Sequence, residues 1–363
     1  NLSDRTNGLP LEEETIAEVF KTNGYRTAAI GKWHLGSRDE QHPNNRGFDL
    51  FYGMKAGGRD YFYNEKKSDR PGDERNLLLN DRQVKFEKYL TDAFSEKAVE
   101  FINESSQPFM MYLAYNAVHT PMQATDEDMA KFEGHPRQKL AAMTYALDRG
   151  VGTVIRGLKD SGKFDNTLIF FLSDNGGATT NQSSNYPLKG FKGNKFEGGH
   201  RVPYFVVWKN GIPAGKPYDG LVSSLDIFAT AIDAASISKT RNRLDGVSLL
   251  PYLKGKKGEP HKVLYWRKMD TRAIRSGDYK LIITHGVDSV LYNIRRDPEE
   301  MNNLINKEPD LYRKLAKKLA KWEKNECIEP SWLEEGWRKI TNRYHQQLMH
   351  NEIKTAQDLY KKK

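Results

Sequence analysis

Short apolar strands alternate with longer amphipathic helices up to about Leu253, and this alternation restricts the possible folds more than any other feature. The pattern predicts helices at 11–23, 89–102, 138–158 and 222–235, and strands at 26–30, 109–115, 167–172 and 204–208. Such an order is typical of an α/β domain with a mostly parallel sheet and helices on both faces. The run at 167–172 is almost continuously apolar, which predicts a strand covered on both faces.

A polar segment rich in glycine and lysine, KGKKGEP at 254–260, separates this region from a different pattern. After it, the sequence predicts a helix at 310–325, preceded by four short strands at 263–267, 271–276, 279–284 and 290–293. The close spacing of these strands favours a small antiparallel sheet. We therefore predict an α/β domain at 1–253, an α+β subdomain at 261–326 and a C-terminal extension at 327–363.

The net charge is +9, from 57 basic and 48 acidic residues, and it suits anionic partners. No recognition motif for nucleic acid accompanies this charge, so nucleic acid is not expected as a partner. The single cysteine, Cys327, excludes an intrachain disulfide framework and a multi-cysteine zinc site. No apolar run approaches the roughly 18 residues that a membrane span needs. The sequence begins at Asn1 and shows no signal peptide.

Side chains suited to an anion and a metal ion follow three predicted strands, at the point where each strand ends. Lys32 and His34 follow the first strand, His119 follows the second, and Asp174 with Asn175 follows the third. In an open parallel sheet, ligands bind outside these carboxyl ends. Carboxylate and amide oxygens suit Ca²⁺ or Mg²⁺, whereas lysine and histidine can hold negative charge and transfer a proton. Taken singly, each motif also fits a turn or a packed side chain.

Two glycine-containing segments add further candidates. The segment at 185–203 combines glycines, which let the backbone approach a ligand closely, with lysines such as Lys192 that bind anions. The segment at 57–61 contains Arg59 and Asp60, which could contact a ring hydroxyl or a second anion of a substrate. A basic surface loop and a purely structural loop are the respective alternatives.

The order of several short segments resembles the formylglycine-dependent sulfatases of the alkaline phosphatase-like superfamily, and the resemblance covers nearly all of residues 9–310. The matching segments are GYRTAAIGKWHLG (24–36), RGFDLFYG (46–53), YLTD (89–92), HTP (119–121), LSDNGG (172–177), KGNKFEGGHRVP (192–203), SSLDIFAT (223–230) and DGVSLLPYL (245–253), followed by LYNI, DPEE and NL within 291–304. No single segment is specific, but their number and order are.

The resemblance implies a role for each matching residue. Lys32, His34 and His119 would contact the sulfate group and the nucleophile or the leaving oxygen, with His119 as the candidate general acid. Lys192 would bind the sulfate group, and Glu197 would help to fix the glycine-rich loop.

The metal and the nucleophile also enter through the resemblance. Asp174 and Asn175 would be two ligands of a Ca²⁺ ion, with Mg²⁺ as the alternative. The family forms its formylglycine in a C/S-x-P-x-R motif that has no counterpart in this sequence, because Cys327 lies in the unrelated segment NECIEP. We expect this motif and the first strand, with its acidic metal ligands, to lie upstream of Asn1. The chain by itself is therefore expected to be truncated and inactive.

The implied function is hydrolysis of sulfate esters, either of a sulfated small molecule or, more specifically, of a sulfated carbohydrate. The resemblance further implies a secreted or periplasmic protein. Two alternatives stay open: a phosphate or phosphonate ester hydrolase of the same superfamily, and a sulfatase-like protein that binds sulfated glycan without turnover. No pattern indicates the oligomeric state.

Overall fold

A computed structural model describes residues 8–181, 183–327 and 335–361. The fold divides into two compact units. Unit 1 comprises Asn1–Leu168, Val207–Lys216 and Ser223–Lys254, and unit 2 comprises Ile169–Val206, Pro217–Val222 and Gly255–Lys363. Within the predicted extension at 327–363, residues 328–334 and 362–363 lie outside the described residues. The domain division predicted from the sequence stays a prediction.

Helices and strands alternate along the chain. The helices are α1 (Ile16–Thr22), α2 (Leu90–Glu104), α3 (Asp126–Ala130), α4 (Gln138–Asp160), α5 (Glu197–His200), α6 (Asp226–Ala234), α7 (Leu250–Leu253), α8 (Pro309–Glu326), α9 (Glu335–Met349) and α10 (Asp358–Lys361). The strands are β1 (Arg26–Lys32), β2 (Leu50–Met54), β3 (Leu78–Leu79), β4 (Arg82–Gln83), β5 (Phe109–Ala114), β6 (Ile169–Leu172), β7 (Tyr204–Val207), β8 (Val263–Lys268), β9 (Thr271–Ser276), β10 (Tyr279–Thr284) and β11 (Asp288–Asn293). Among the described helices, none has the length and apolar character needed to cross a membrane.

The sheet of unit 1 is built around β1, whose neighbours β2 and β5 both run parallel to it. The strand order is β4-β3-β2-β1-β5, and β3 and β4 form an antiparallel edge. Helices α1 and α2 pack against β1, which explains the apolar run Ala28–Ile30. Gly31 pairs with Gly53 on one side and with Ala114 on the other. The carboxyl ends of three parallel strands therefore meet at one edge.

Helix α1 begins later than the predicted start at residue 11, because a capping box defines its first turn. The hydroxyl of Thr15 accepts a hydrogen bond from the backbone N–H of Glu18 (3.0 Å), and the Glu18 carboxylate accepts one from the N–H of Thr15 (2.8 Å). These bonds satisfy amides that the helix cannot pair itself. Helices α2 and α4 lie within two residues of the predicted bounds at 89–102 and 138–158.

The strand predicted at 167–172 is shorter and less covered than expected. Strand β6 begins at Ile169 and pairs with β7 in a separate two-stranded sheet. Phe171 and Phe205 form a tilted pair, with ring centroids 6.1 Å apart, and keep 39% and 58% of their surfaces exposed. The prediction of a strand buried on both faces is therefore wrong, because the rings on one face of this ribbon remain in solvent.

Strands β8 to β11 form the predicted small antiparallel sheet, in the order β11-β10-β9-β8. On one face, Leu281 pairs with Ile274 and Leu291 on the neighbouring strands. Helix α8 covers this face with Leu315 and Leu319. The predicted combination of a mostly parallel α/β sheet with an antiparallel sheet and a helix is confirmed.

The other face of the antiparallel sheet carries the glycine-rich loop. Because side chains alternate along a strand, Ile282 points away from the face of Leu281. It packs in a buried cluster with Phe191 and Phe196 from the loop and Leu348 from α9. The loop that contains Lys192 is thereby anchored to a sheet in unit 2.

Candidate functional site

Lys32 and His34 are held at the carboxyl end of β1 by the tryptophan between them. Trp33 is buried, its indole N–H donates to the backbone oxygen of Gln41 at 3.0 Å, and its ring packs edge-on against Phe48. The backbone of His34 has a φ of 53°, which is uncommon for a residue other than glycine. The apolar anchor thus fixes the two polar neighbours.

His34 and His119 lie against two consecutive glycines. A methyl group placed on Gly57 would be 2.5 Å from Cε1 of His34, and one placed on Gly58 would be 3.4 Å from Nδ1 of His119. The first distance leaves no room for a side chain. The structure therefore brings both predicted histidines to one short segment of unit 1, next to the strand that ends at Lys32.

The imidazole of His119 is oriented by the backbone of the next residue, Thr120. Nδ1 lies 2.8 Å from the carbonyl oxygen of Thr120, and this contact assigns the proton to Nδ1. The buried Tyr61 hydroxyl donates to the backbone oxygens of His119 (2.9 Å) and Asn116 (2.8 Å) in a shared bond. Sequence reasoning missed Tyr61 as a positioning residue, because its partners lie more than fifty residues away along the chain.

Arg59 and Asp60, predicted to bind substrate, are engaged inside their own loop. The guanidinium of Arg59 forms a buried pair with both carboxylate oxygens of Asp69, at 2.7 and 2.8 Å. Asp60 accepts hydrogen bonds from Ser68 (2.6 Å) and Gln123 (2.8 Å). Burial would raise the pKa of Asp60, but these two hydrogen bonds, together with the charges of Lys67 and Arg59, outweigh it and lower the pKa. The contacts define a loop scaffold, and substrate contact stays a prediction.

Within unit 2, backbone hydrogen bonds join the turn that follows Asp174 and Asn175 to the loop that carries Lys192. The N–H of Lys192 donates to the carbonyl oxygen of Gly177 at 3.0 Å, and the N–H of Gly176 donates to that of Gly199 at 3.0 Å. A methyl group on Gly176 would lie 1.8 Å from the backbone oxygen of Gly198, so glycine is required there. The predicted ligands Asp174 and Asn175 therefore precede a turn packed on the loop that carries Lys192.

Asp174 and Asn175 have oxygen atoms of the kind that Ca²⁺ binds, but two residues supply fewer oxygen ligands than a Ca²⁺ site needs. Asp174 is exposed, and the Asn175 amide nitrogen donates to the backbone oxygen of Gly176 at 3.1 Å, which leaves carboxylate and amide oxygens as hard donors. Ca²⁺ takes about six to eight such oxygens. Within residues 8–181, 183–327 and 335–361, no group of three or more His, Cys, Asp or Glu side chains could hold a metal ion. The metal stays a prediction.

A buried network of ion pairs holds the loop that carries Lys192. Lys280 Nζ lies 2.9 Å from Oε1 of Glu197 and 3.0 Å from Oε1 of Glu300. Burial would raise the pKa of Glu197, but the Lys280 ammonium, with smaller contributions from His200 and Arg275, outweighs it and holds the pKa below its usual value. Burial keeps the pKa of Glu300 above its usual value. Lys189 is also buried and donates to the backbone oxygen of Glu300 at 2.9 Å.

The mostly parallel sheet flanked by helices and the small antiparallel sheet covered by a helix are the architecture of the alkaline phosphatase-like class. The family model described as "Sulfatase" matches residues 1–237. The model described as "N-sulphoglucosamine sulphohydrolase, C-terminal" matches residues 192–325. The chain belongs to the sulfatase family.

Curated relatives include the uncharacterized sulfatase YdeN of Escherichia coli K12, which is 37% identical over 297 residues, covering 73% of this chain and 51% of the relative. N-acetylgalactosamine-6-sulfatase of Canis lupus familiaris is 31% identical over 288 residues, covering 75% of this chain and 55% of the relative. The chain thus spans about half the length of these relatives.

Solved structures show the same fold. Ps i-CgsB, determined in complex with k-i-k-neocarrahexaose, is 35% identical with a TM-score of 0.84, covering 94% of this chain and 81% of that one. BT4656, determined in complex with D-glucosamine-2-N,6-O-disulfate, is 19% identical with a TM-score of 0.67, covering 88% of this chain and 84% of that one. The second likeness supports the fold alone.

Proposed function

We propose that this chain forms part of a sulfatase that hydrolyses sulfate esters of carbohydrates. The observation that carries the proposal is the placement of His34 and His119 on Gly57 and Gly58, beside the carboxyl edge of the parallel sheet. Membership of the sulfatase family supports the reaction class. The carbohydrate bound to the similar Ps i-CgsB supports the substrate class.

In this proposal, His119 is the general acid. Because Nδ1–H donates to the Thr120 carbonyl oxygen, a second proton on Nε2 of the imidazolium form is the one that would be delivered to the leaving alcohol oxygen, which leaves the neutral ring with its proton on Nδ1. The contact also fixes the ring plane, so that the proton is delivered in one direction. Tyr61 is a positioning residue, since it contacts the His119 backbone rather than the ring.

Lys32, His34 and Lys192 would stabilise the negative charge on the sulfate oxygens. Fixed charges contribute most when they are held in place before the reaction. Trp33 supplies that rigidity for Lys32 and His34, and the buried pair of Glu197 and Lys280 supplies it for the Lys192 loop.

The proposal includes two groups beyond the described residues. Asp174 and Asn175 would supply two oxygen ligands of a Ca²⁺ ion, which would neutralise sulfate oxygen charge when bound. The formylglycine nucleophile would come from a segment upstream of Asn1. A secreted or periplasmic location is part of the same proposal.

The test compares the 363-residue chain with the product of its complete reading frame, each assayed for sulfate release from an aryl sulfate and from a sulfated oligosaccharide. We expect release by the complete product, and a loss of about 10²- to 10⁴-fold in kcat for His119→Ala. His135→Ala, which alters an exposed histidine, is the matched control. Phosphate or phosphonate ester cleavage without sulfate release would favour the second hydrolase class. Glycan binding without turnover would favour the non-catalytic alternative.

A further inference from the structure

A cavity lies between helix α8 and strand β8, entirely within unit 2. Its volume is about 320 Å³, at the lower end of the range of about 300–1,000 Å³ for pockets that hold small ligands. One residue of β8 and five from the second half of α8 line it: Tyr265, Lys318, Lys321, Trp322, Asn325 and Glu326. The space suits a short segment of a chain molecule, such as one or two sugar units.

Two aromatic rings of the cavity are held in a fixed stack. The rings of Tyr265 and Trp322 are nearly parallel, at 5°, with centroids 4.9 Å apart. Both pack against the apolar cluster that contains Leu315 and Leu319, and both remain partly exposed. Because the rings are fixed before a ligand arrives, a ligand with an apolar face can pack on them without the cost of ordering them.

Two lysines add positive charge to the same cavity. Lys318 and Lys321 are exposed and stand three positions apart, on one side of α8. Within the described residues, neither lysine forms an ion pair with a carboxylate, and the carboxylate of Glu323 is already paired with Arg272. Glu326 places one negative charge in the lining against the two positive charges. The lining is therefore positive overall and complements an anionic ligand.

The cavity lies on the face of the antiparallel sheet opposite to the loop that carries Lys192. Tyr265 and Trp266 are consecutive on β8, so their side chains point to opposite faces. Trp266 stacks on His200, at the end of that loop, with ring centroids 4.5 Å apart, whereas Tyr265 stacks on Trp322. A molecule that occupies the cavity and also reaches Lys192 must pass around the sheet, which requires a polymer.

We propose that this cavity binds a segment of a sulfated polysaccharide, remote from the reacting sulfate ester. Sulfate groups would pair with Lys318 and Lys321, and the C–H face of a sugar ring would pack on the aromatic pair. The inference rests on the proposed function for the choice of a sulfated sugar chain, and it deepens that function by assigning a polymer as the substrate. A chain held here presents its other segments to the Lys192 loop at a raised effective concentration.

The test measures equilibrium binding of dextran sulfate to the complete product by calorimetry, in the His119→Ala background so that no turnover occurs. Lys318→Gln/Lys321→Gln should weaken binding by about tenfold, because two contacts with sulfate are lost. The matched control is Lys317→Gln/Lys324→Gln, which removes the same charge from exposed positions of α8 outside the cavity. It should bind as the wild type does. An equal loss in the two double variants, or no loss in either, would overturn the site.

A second pair of variants tests the sugar contact. Trp322→Leu should weaken binding of dextran sulfate but not of inorganic polyphosphate, which has no apolar face. Trp337→Leu, at an exposed tryptophan of α9, should change neither affinity. Equal losses for the two polymers in Trp322→Leu would reduce the cavity to a general anion surface and overturn the proposal. If Trp322→Leu fails to fold, the lysine variants decide the matter, because their side chains are exposed.

The outcome is separable from that of the proposed function, because binding is measured without turnover. Weakened binding in Lys318→Gln/Lys321→Gln alone, together with no sulfate release by the complete product, would reject the hydrolase and keep the cavity site. Sulfate release with no difference between the two double variants would keep the hydrolase and reject the cavity site. If both hold, Lys318→Gln/Lys321→Gln should raise KM for a sulfated polysaccharide and leave KM for an aryl sulfate unchanged.

Discussion

The hydroxyl of Tyr61 donates a hydrogen bond to the backbone oxygen of His119, at 2.9 Å. Tyr61 is fully buried and stacks on Tyr89 with ring centroids 5.4 Å apart. Burial raises the pKa of the phenol well above its usual value, so the group stays a donor at any physiological pH. The stacked pair of Tyr61 and Tyr89 thus holds the backbone of His119, the proposed general acid, in place.

Replacing Tyr61 with phenylalanine tests this positioning role. Two carbonyl oxygens lose their shared donor, and we expect kcat of the complete product to fall by about 10- to 100-fold with KM nearly unchanged. The free energy of unfolding should fall by about 1 kcal/mol. Tyr63→Phe, which alters a hydroxyl bonded to the exposed Glu65, is the control. A stability loss with unaltered kcat would restrict Tyr61 to a structural role.

Arg59→Met distinguishes a structural role of the loop at 57–61 from a role in substrate binding. Because the variant leaves the Asp69 carboxylate buried without its partner, we expect a loss of about 3–5 kcal/mol in the free energy of unfolding, measured by urea titration. Lys85→Met, which breaks an exposed pair with Glu65, should leave stability unchanged. Normal stability with a raised KM for sulfated sugar would instead support the predicted substrate contact of Arg59.

Gly57→Ala tests the close packing of His34. The added methyl group would lie 2.5 Å from the imidazole, so the ring must move, and we expect kcat to fall by about tenfold or more. Gly336→Ala introduces the same methyl group into open space and should have no such effect. Wild-type turnover in Gly57→Ala would show that the position of His34 does not limit the reaction.

The sequence predicted those helices and strands whose pattern lies within one short stretch of the chain. Strands β1 and β5 follow from apolar runs flanked by turn residues, and their polar ends follow from the rule for parallel sheets. Arg59 could not be assigned in this way, because its role depends on Asp69, which an irregular loop brings back to it. Lys280 left a signal that was missed: a charged residue stands two positions before Ile282, on the same face of the apolar strand β10.

The buried Lys189 predicts a pH dependence of stability. Burial lowers its pKa in the folded state to about 8, whereas an unfolded lysine titrates near about 10.4. Between these values the unfolded chain binds more protons, so the free energy of unfolding rises with pH, by at most about 1.4 kcal/mol per pH unit. Below about pH 7 both states bind the proton and this contribution is flat.

Denaturant titrations from pH 7 to 10 would measure that rise. Lys189→Met should show a smaller slope than the wild type above pH 8, and Lys195 accounts for part of the slope that remains, because its pKa is lowered in the same direction. Lys262→Met should keep the wild-type slope. Equal slopes in Lys189→Met and the wild type would contradict the lowered pKa.

Calcium is expected to stabilise the complete product through Asp174. Added Ca²⁺ should raise Tm, and chelation should lower it, because a ligand that binds only the folded state stabilises that state. Asp174→Ala should remove the response, whereas Asp219→Asn, at an exposed site in unit 2, should retain it. An identical Tm with and without Ca²⁺ in the wild type would argue against the ion.

Trp33 has a consequence for how inactive variants are interpreted. Its ring rests on Phe48 in the apolar cluster beneath β1, and the residues on either side of it are Lys32 and His34. A change at Phe48 would disturb those two side chains and, because Phe48 is buried, loss of its ring would also cost about 3–5 kcal/mol of stability. In a genetic screen for lost turnover, changes in this apolar layer would therefore be grouped with changes at the polar residues, and a melting assay would be needed to tell the two groups apart.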